Sequence, residues 1–358
     1  MTLDRIALSH FRNHRQTDLR GTRQLNLLVG ENGAGKTNIL EALSLLAPGR
    51  GLRRAHLADL PGPDGGGAFQ IGASLIEQDH ESARIGTFVE PERPGRRLVR
   101  VNGAEASAQS LSEWLAIGWL TPAMDGLFMD SAGARRRYLD RLALAVDPAH
   151  ARHASRFEAA LRERNKLIEE SRDATWLDAI EAQVAEHGAA VAAGRMALVS
   201  TLADELTALP DAPFARPILT YLPGGPTGRE ELRTELARQR SRDRAAGRTL
   251  TGPHRDELDV VMSGSGQPAA SCSTGEQKAM LIALTLAHAA LAAEGRPGVL
   301  LLDEVAAHLD PVRRAALFQR LRQGRAQVWL TGTEPAPFQD ILEEAAVWRV
   351  SAGTVERL

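Results

Sequence analysis

LLVGENGAGKTNILEAL, residues 27–43, is an apolar run that gives way to three glycines, a lysine and a second apolar run. This order predicts a buried strand, a tight loop and a helix that begins near Lys36. The loop matches G-x-x-x-x-G-K-[ST], with Gly30, Gly35, Lys36 and Thr37 at the defining positions. A plain glycine-rich turn between a strand and a helix is the alternative interpretation. The spacing favours a phosphate-binding loop.

Phosphate binding by such a loop has a direct physical basis. Glycines allow the backbone N–H groups to point inward, and the N-terminus of the following helix adds partial positive charge. The lysine then reaches the terminal phosphates of a nucleotide, and the hydroxyl ligates Mg²⁺. We therefore predict a catalytic role for Lys36 and a metal-ligating role for Thr37. The predicted nucleotide-binding residues of the loop are Gly30, Glu31, Asn32, Gly33, Ala34, Gly35, Lys36, Thr37 and Asn38.

Composition excludes several classes of protein. The chain has 358 residues, of which 43% are hydrophobic, enough for one large core or two moderate ones. A net charge of −2 gives no global positive field that would indicate nucleic acid or an anionic membrane. The single Cys272 excludes an internal disulfide and fits a reducing compartment. The first sixteen residues are too polar for a signal peptide, and no run of about 18 apolar residues occurs, so we expect a cytoplasmic protein without a membrane span.

The middle of the chain changes character from strand to helix. Three strand-like segments between residues 68 and 103 predict an antiparallel β patch, the last ending in the favoured hairpin turn Asn102-Gly103. Helical periodicity dominates from about 131 to 208, and we expect Gly188, Gly194, Pro148 and aromatic residues to interrupt it. These features predict a compact helical lobe. A further helix is predicted at 229–246, buried parallel strands at 298–305 and 326–333, and a terminal hairpin turning at Gly353.

An acidic pair, Asp303 and Glu304, follows the apolar run at 299–302. If the loop holds a triphosphate, Asp303 would organise Mg²⁺, and Glu304 would polarise the attacking water as a general base. An acidic pair at a strand end also favours the N-terminus of a following helix, which is the alternative. The phosphate loop upstream favours Asp303 as a metal ligand and Glu304 as a catalytic residue.

SCSTGEQKAM, residues 271–280, has two compatible interpretations. Ser273 and Glu276 form an S-x-x-E capping box before an apolar helix. The stretch also lies one helix upstream of Asp303, where ABC-type ATPases place their signature sequence. In that class, a serine hydroxyl, a glycine amide and the helix dipole contact the γ-phosphate held by a second copy. We therefore predict that nucleotide is also bound by Ser273, Gly275 and Gln277.

Two later segments bear on the class of ATPase. Asp310 ends VAAHLD (305–310), which resembles the D-loop along the interface of such dimers, and we predict that it binds nucleotide. Transporter ATPases carry a histidine after the strand at 326–333, where it touches the γ-phosphate. This chain offers Thr331 and Thr333 instead, which disfavours a transporter and leaves the γ-phosphate sensor open.

Taken together, these motifs resemble the RecF family of DNA replication and recombination-repair proteins, within the SMC-like branch of ABC ATPases, over nearly the whole chain. LSHFRNH (8–14) is similar to the family's F-R-N-Y, with His14 in place of tyrosine. LTPAMDGLFMDSAGARRRYLD (120–140) resembles the family's proline-led segment, and TGPHRDEL (251–258) its G-P-H-R-D element. The alternative for the last element is a polar turn, and the sequence assigns no role to Gly252–Asp256.

The resemblance implies an α/β fold. An ABC-type ATPase head would combine a P-loop parallel core sheet with an antiparallel β subdomain and carry a compact helical lobe without a long coiled coil. The implied segments are 1–118 for the N-terminal part of the head, 119–228 for the lobe, and 229–358 for the C-terminal part. A helical span of about 75 residues folded back on itself would reach only ~50 Å.

The resemblance also implies ATP and Mg²⁺ as cofactors. Two copies would sandwich two ATP molecules and clamp duplex DNA at gaps or junctions, and slow DNA-stimulated hydrolysis would release it. RecR, RecO and RecA are the implied partners. DNA would bind a local patch, since the chain is not basic overall; Arg50, Arg53 and Arg54, or the cluster Arg135–Arg137, are the candidates, with plain solvated charge as the alternative. A transporter ATPase subunit and a non-hydrolysing ATP-binding scaffold are the competing interpretations.

Overall fold

The computed structural model describes residues 2–77, 80–93, 95–170, 174–210, 212–306 and 309–358. Its strands are β1 (Thr2–Phe11), β2 (His14–Arg20), β3 (Leu25–Val29), β4 (Phe69–Glu77), β5 (His80–Val89), β6 (Leu98–Val101), β7 (Ala104–Ala106), β8 (Ala116–Leu120), β9 (Pro217–Leu222), β10 (Glu257–Met262), β11 (Gly298–Leu302), β12 (Gln327–Gly332), β13 (Ala346–Ser351) and β14 (Thr354–Arg357). Its helices are α1 (Lys36–Ser44), α2 (Leu111–Trp114), α3 (Ala132–Val146), α4 (Ala149–Glu170), α5 (Ala174–Ala208), α6 (Arg229–Ala246), α7 (Thr274–Ala292) and α8 (Pro311–Gln323).

The packing divides the chain into two compact units. Unit 1 comprises residues 1–124 and 285–358, and unit 2 comprises residues 125–284. Among the described residues, no helix combines the length and apolar character needed to cross a membrane.

A parallel sheet in unit 1 brings the predicted motifs together. Its strand order is β14-β13-β3-β12-β11-β8, and only the β13–β14 pairing is antiparallel within the described strands. The residues of β3, β8, β11 and β12 are all buried, as expected for strands covered on both faces. Because β3, β12 and β11 are neighbours and parallel, the segments that follow them meet at one edge of the sheet. The phosphate loop follows β3 and the pair Asp303-Glu304 follows β11, and Thr331 lies at the same edge, near the end of β12.

The predicted antiparallel patch is a second sheet of unit 1, in the order β2-β1-β4-β5-β6-β7. Asn102 and Gly103 adopt φ +50° and +83° between β6 and β7, which confirms the predicted hairpin turn. One buried apolar cluster includes Ile6 from this sheet, Leu43 from α1 and Trp329 from the parallel sheet. The two sheets therefore share a core that contains the helix after the phosphate loop.

Unit 2 contains the predicted helical lobe, in which α5 packs against α4 and α6. The expectation that glycines interrupt the lobe's helices is wrong, since α5 runs through Gly188 and Gly194. A Cβ on Gly188 would lie 3.1 Å from Phe157 and Leu232, and one on Gly194 would lie 2.7 Å from His150. Both glycines thus allow close helix packing. The longest described helix, α5, has 35 residues and spans only ~50 Å, which confirms a compact lobe without a long coiled coil.

The two units and the three predicted segments divide the chain differently. Residues 229–284 group with the lobe in unit 2, because β10 pairs with β9 and α6 packs on α5. The predicted segments follow the order of the ATPase motifs along the chain, and they stay a prediction about function.

Candidate nucleotide site

The phosphate loop leaves β3 and enters α1 in the predicted strand–loop–helix order. Gly33 and Gly35 adopt φ +80° and +117°, in the left-handed region that side chains disfavour. A Cβ on Gly35 would also lie 2.8 Å from side-chain atoms of Asn13 and His14. A Cβ on Gly30 would fall on a backbone carbonyl oxygen of β13. Backbone conformation and close approach therefore both require glycine here.

Lys36 is the first residue of α1, and its ammonium group folds back over the loop. Its Nζ donates to the carbonyl oxygens of Gly30 (2.6 Å) and Glu31 (2.9 Å), and the residue is 4% exposed. Burial lowers the pKa of Lys36, and the charges of Glu304 and Asp303 oppose this only in part. The N-cap residue is a glycine, so the first N–H groups of α1 have no N-cap side chain to bond. A cation and a helix N-terminus at one loop suit a phosphate.

The loop is supported from outside by the turn between β1 and β2. Asn13 Nδ2 donates to the carbonyl oxygen of Ala34 (3.0 Å), and Asn38 Nδ2 donates to Asn13 Oδ1 (2.7 Å). His14 Nε2 bonds the next carbonyl oxygen of the loop at 3.1 Å. The N–H of Gly353, in the terminal hairpin, also donates to Ala34 (2.9 Å). This is the structural role of F-R-N-H, which the sequence matched to a family motif without assigning it a function.

Arg12 ties the same turn to the helix. Its guanidinium forms two 2.9 Å bonds with the carboxylate of Glu41, which is fully buried on α1. Arg53, one of the predicted DNA-contacting residues, donates to Glu41 (3.1 Å) and to Asn38 Oδ1 (2.6 Å). Arg53 and Asn38 therefore belong to the support of the loop, although Arg53, like Arg50, is exposed.

The predicted metal ligands lie together although 266 residues separate them. Thr37 Oγ1 lies 2.9 Å from Asp303 Oδ1 and 3.1 Å from Oδ2. Asp303 is 7% exposed and directly follows β11. A hydroxyl and a carboxylate are hard oxygen ligands of the kind that Mg²⁺ binds, and Mg²⁺ commonly completes its shell with water and phosphate oxygens. The residues present thus fit Mg²⁺ bound together with a nucleotide.

Glu304 continues this cluster with an unusual backbone. Its φ is +54°, a left-handed conformation that non-glycine residues seldom adopt. Its N–H donates to Thr331 Oγ1 (2.8 Å), and the same hydroxyl donates to Asp303 Oδ1 (2.8 Å). Of the two threonines considered as a γ-phosphate sensor, Thr331 is buried and Thr333 is exposed. The arrangement can bind phosphate, hold a divalent cation and present a carboxylate beside both.

The signature stretch lies in unit 2 and forms the capping box in full. The N–H and Oγ of Ser273 donate to Glu276 Oε2 at 2.8 and 2.7 Å, and the N–H of Glu276 returns a bond to Ser273 Oγ (3.3 Å). Gln277 is 2% exposed, and its Nε2 donates to the carbonyl oxygen of Cys272 (2.9 Å). Ser273 and Gly275 are exposed. We call Cys272–Gln277 the signature corner.

Asp310, the predicted D-loop residue, is the N-cap of α8. Its Oδ1 accepts a bond from the N–H of Arg313 (2.9 Å). Residues 307 and 308 of the same segment lie outside the described residues. The structure thus gives Asp310 a local capping role, and its nucleotide contact stays a prediction.

The proline-led segment and the G-P-H-R-D element, both of which resemble motifs of the RecF family, meet in a buried polar network through Asp140 and Asp256. Arg195 pairs with Asp140 (2.8 Å) and with Asp256 (2.7 Å), the last residue of G-P-H-R-D. Although burial opposes it, hydrogen bonds from His150 and Arg195 lower the pKa of Asp140 to about 2. Tyr221 also donates to the buried carboxylate of Asp256. Gly252–Asp256 therefore joins the lobe to the two-stranded sheet of β9 and β10.

The same network involves the second predicted DNA cluster. Arg135 forms a 2.7 Å ion pair with Glu257, and Arg136 donates to the backbone carbonyl oxygen of Asp256 (2.8 Å). Arg137 is exposed. Arg135 and Arg136 thus bond to groups within unit 2, so this cluster has less positive charge available for DNA than its sequence suggests.

Comparison with known proteins agrees with these motifs. The family model of the RecF/RecN/SMC N terminal domain matches residues 2–355. The chain is 46% identical to the DNA replication and repair protein RecF of Mesorhizobium japonicum, covering 99% of this chain and 97% of that protein. It is 45% identical to RecF of Brucella suis, covering 99% and 95%.

Solved structures show the same fold. A structure of the recombination mediator protein RecF-ATP in the RecFOR pathway has a TM-score of 0.87 at 24% identity, covering 100% of this chain and 97% of that one. The Smc head domain of Pyrococcus furiosus, with an extended coiled coil, has a TM-score of 0.55 at 16% identity, covering 100% and 96%. The matched family model and full-length identity show that this chain belongs to the RecF family of DNA replication and repair proteins.

Proposed function

We propose that the protein binds and slowly hydrolyses ATP in recombinational DNA repair. The observation that carries the proposal is the cluster of Thr37, Asp303, Glu304 and Thr331 beside the phosphate loop, in a chain of the RecF family. Relatives named DNA replication and repair proteins, and one described with ATP, support the same assignment.

The residues of unit 1 divide the chemistry among them. Lys36 exchanges its two loop carbonyls for terminal phosphate oxygens, and the N–H groups at the start of α1 bind the same phosphates. Thr37 and Asp303 would hold Mg²⁺, which would offset phosphate charge when bound. Glu304 accepts a proton from the attacking water and orients it towards the terminal phosphorus.

The signature corner supplies the second half of the site to another copy. Ser273 and Gly275 are exposed at the start of α7, where N–H groups and the helix dipole suit an anion. We propose that they bind the γ-phosphate on a second molecule, with Gln277 and Asp310 at the same interface. ATP would then join two copies around duplex DNA, and hydrolysis would separate them.

DNA at gaps or junctions is the proposed substrate of this clamp. Exposed Arg50, Arg54 and Arg137 are the proposed contacts, and RecR, RecO and RecA are the proposed partners in the cytoplasm. Phosphate contacts of this kind predict binding that weakens as salt rises. A hydrolysis rate that increases with gapped DNA would support the coupling.

The corner is tested by Ser273→Arg. The long cationic side chain should leave nucleotide binding to the monomer unchanged. It should block dimer formation, because it occupies the proposed position of the γ-phosphate that the second copy holds. Light scattering with ATP and Mg²⁺, with and without gapped DNA, measures the mass. Ser200→Arg, at an exposed position of α5, is the matched control and should dimerise as the parent does. A Ser273→Arg protein that still dimerises on ATP would refute the role across chains.

A further inference from the structure

Thr331 occupies the central position of the catalytic cluster without facing solvent. It lies near the end of β12, the strand between β3 and β11, and is 1% exposed. Its hydroxyl accepts the N–H of Glu304 and donates to Asp303 Oδ1, both at 2.8 Å. A hydroxyl has a single proton to donate, and in this arrangement Asp303 receives it. The bond therefore favours a role behind the two carboxylates over direct donation to a phosphate.

The backbone of Glu304 shows why such support matters. Its φ of +54° is strained for a residue with a side chain, and strain of this kind persists only where neighbours hold it. The hydrogen bond to Thr331 holds the N–H that this conformation directs inward. Because φ sets the direction of Cβ, the same bond sets the direction in which the Glu304 carboxylate leaves the backbone. Losing the bond would allow the residue to relax to a common conformation and turn the carboxylate away.

Asp303 depends on the same hydroxyl. Its Oδ1 accepts from Thr331 (2.8 Å) and lies 2.9 Å from Thr37 Oγ1. Two hydroxyls, one from the start of α1 and one from β12, thus determine the rotation of the carboxylate. Among the contacts described for this cluster, Thr331 is the one residue that bonds both the carboxylate of Asp303, the predicted metal ligand, and the backbone N–H of Glu304, the predicted catalytic residue.

We propose that Thr331 is a positioning residue for ATP hydrolysis. Its hydroxyl holds Glu304 and Asp303 in the arrangement that activates water and holds Mg²⁺. The inference rests on the proposed function, because it assigns a role within that reaction. A protein without this hydroxyl binds ATP but hydrolyses it slowly.

Thr331→Val removes the hydroxyl and keeps the shape of the side chain, whereas Thr331→Ser keeps the hydroxyl. We expect kcat to fall about tenfold or more in the valine variant, with KM and the affinity for a fluorescent ATP analogue nearly unchanged, and to recover in the serine variant. Thr201→Val is the matched control, since that hydroxyl bonds a carbonyl of its own helix in unit 2. Hydrogen exchange should also quicken at Glu304 in the valine variant and recover in the serine variant.

Two comparisons make the result decisive. In a Glu304→Gln background, Thr331→Val should lower kcat by less than it does in the parent, because the part of the loss that passes through the Glu304 carboxylate has already occurred. Full hydrolysis by Thr331→Val, or equal losses of kcat and ATP affinity in the valine and serine variants, would overturn the positioning role. A parent protein that binds ATP and releases no phosphate would overturn the proposed function itself, so the two failures are distinct.

Discussion

The phosphate loop and the signature corner are both glycine-containing helix starts, yet they are held in opposite ways. The loop is supported by residues distant in sequence, including Asn13, His14 and Gly353. The corner is closed by its own residues, as Ser273 and Glu276 bond each other. The first is therefore formed before nucleotide arrives, whereas the second is a local, exposed motif whose bonds a phosphate can replace.

This difference assigns separate tasks to the two regions. A rigid loop lowers the cost of ordering around a nucleotide, which favours binding by a single copy. An exposed corner satisfied by its own side chains stays stable when no partner is bound. Binding and assembly should consequently respond to different mutations.

Glu304→Gln should give the largest effect, because it removes the water-activating carboxylate and leaves both phosphate-binding regions intact. Hydrolysis should fall on the order of 1,000-fold, the scale of a lost general base. ATP binding should persist and the dimer should accumulate, as measured by phosphate release and light scattering. Glu356→Gln, at an exposed position of β14, is the control. Unchanged hydrolysis would remove Glu304 from the mechanism.

Gly35 in the phosphate loop and Gly275 in the signature corner allow the two regions to be compared by the same substitution. Gly35→Ala places a Cβ 2.8 Å from Asn13 and His14 at φ +117°, so nucleotide affinity should fall on the order of 100-fold. Gly275→Ala meets no atom within 4 Å and should retain monomer binding, with a stability gain of up to ~1 kcal/mol from helix propensity. Titration with a fluorescent nucleotide measures the affinity of each variant, and thermal melting measures its stability. Equal losses of affinity in the two variants would erase the distinction between the regions.

The sequence predicted the parts of this arrangement that are local. The strand–loop–helix around Lys36, the hairpin at Asn102-Gly103 and the strand before Asp303 each depend on neighbouring residues, and all are present. Fold class was also predictable, because motif order along the chain carried a family resemblance.

The sequence could not show contacts made by tertiary packing. The sequence showed Thr331 only as a residue near the place where transporter ATPases carry a histidine. Its bonds to Asp303 and Glu304 could not be predicted, because they depend on which strands are neighbours. Gly188 and Gly194 were expected to break a helix, because propensity disfavours glycine there and its partners on other helices were unknown. Likewise, Arg135 looked like free charge until its partner Glu257 was located.

The smallest expected effect on nucleotide affinity comes from the ionic network of unit 2, which shares no residue with the support of the loop. Hydrogen bonds from His150 and Arg195 outweigh burial and lower the pKa of Asp140 to about 2 from its ordinary 3.8. A carboxyl group whose pKa is lowered on folding stabilises the folded state at pH values above its ordinary pKa. This stability is lost as the pH falls from about 4 to about 2. The shift corresponds to about 2 kcal/mol.

Asp140→Asn should remove that part of the acid dependence, because asparagine does not titrate. The free energy of unfolding from denaturant titrations should be lower than the parent's at pH 7 and approach it near pH 2. Nucleotide affinity at pH 7 should stay within about twofold of the parent's, since unit 1 carries the loop. Asp204→Asn, on the same lobe at a position outside the described network, should keep the parent's pH profile. A parallel loss of nucleotide binding in Asp140→Asn would show that the ionic network of unit 2 also supports the loop, and the separation between the two regions would fail.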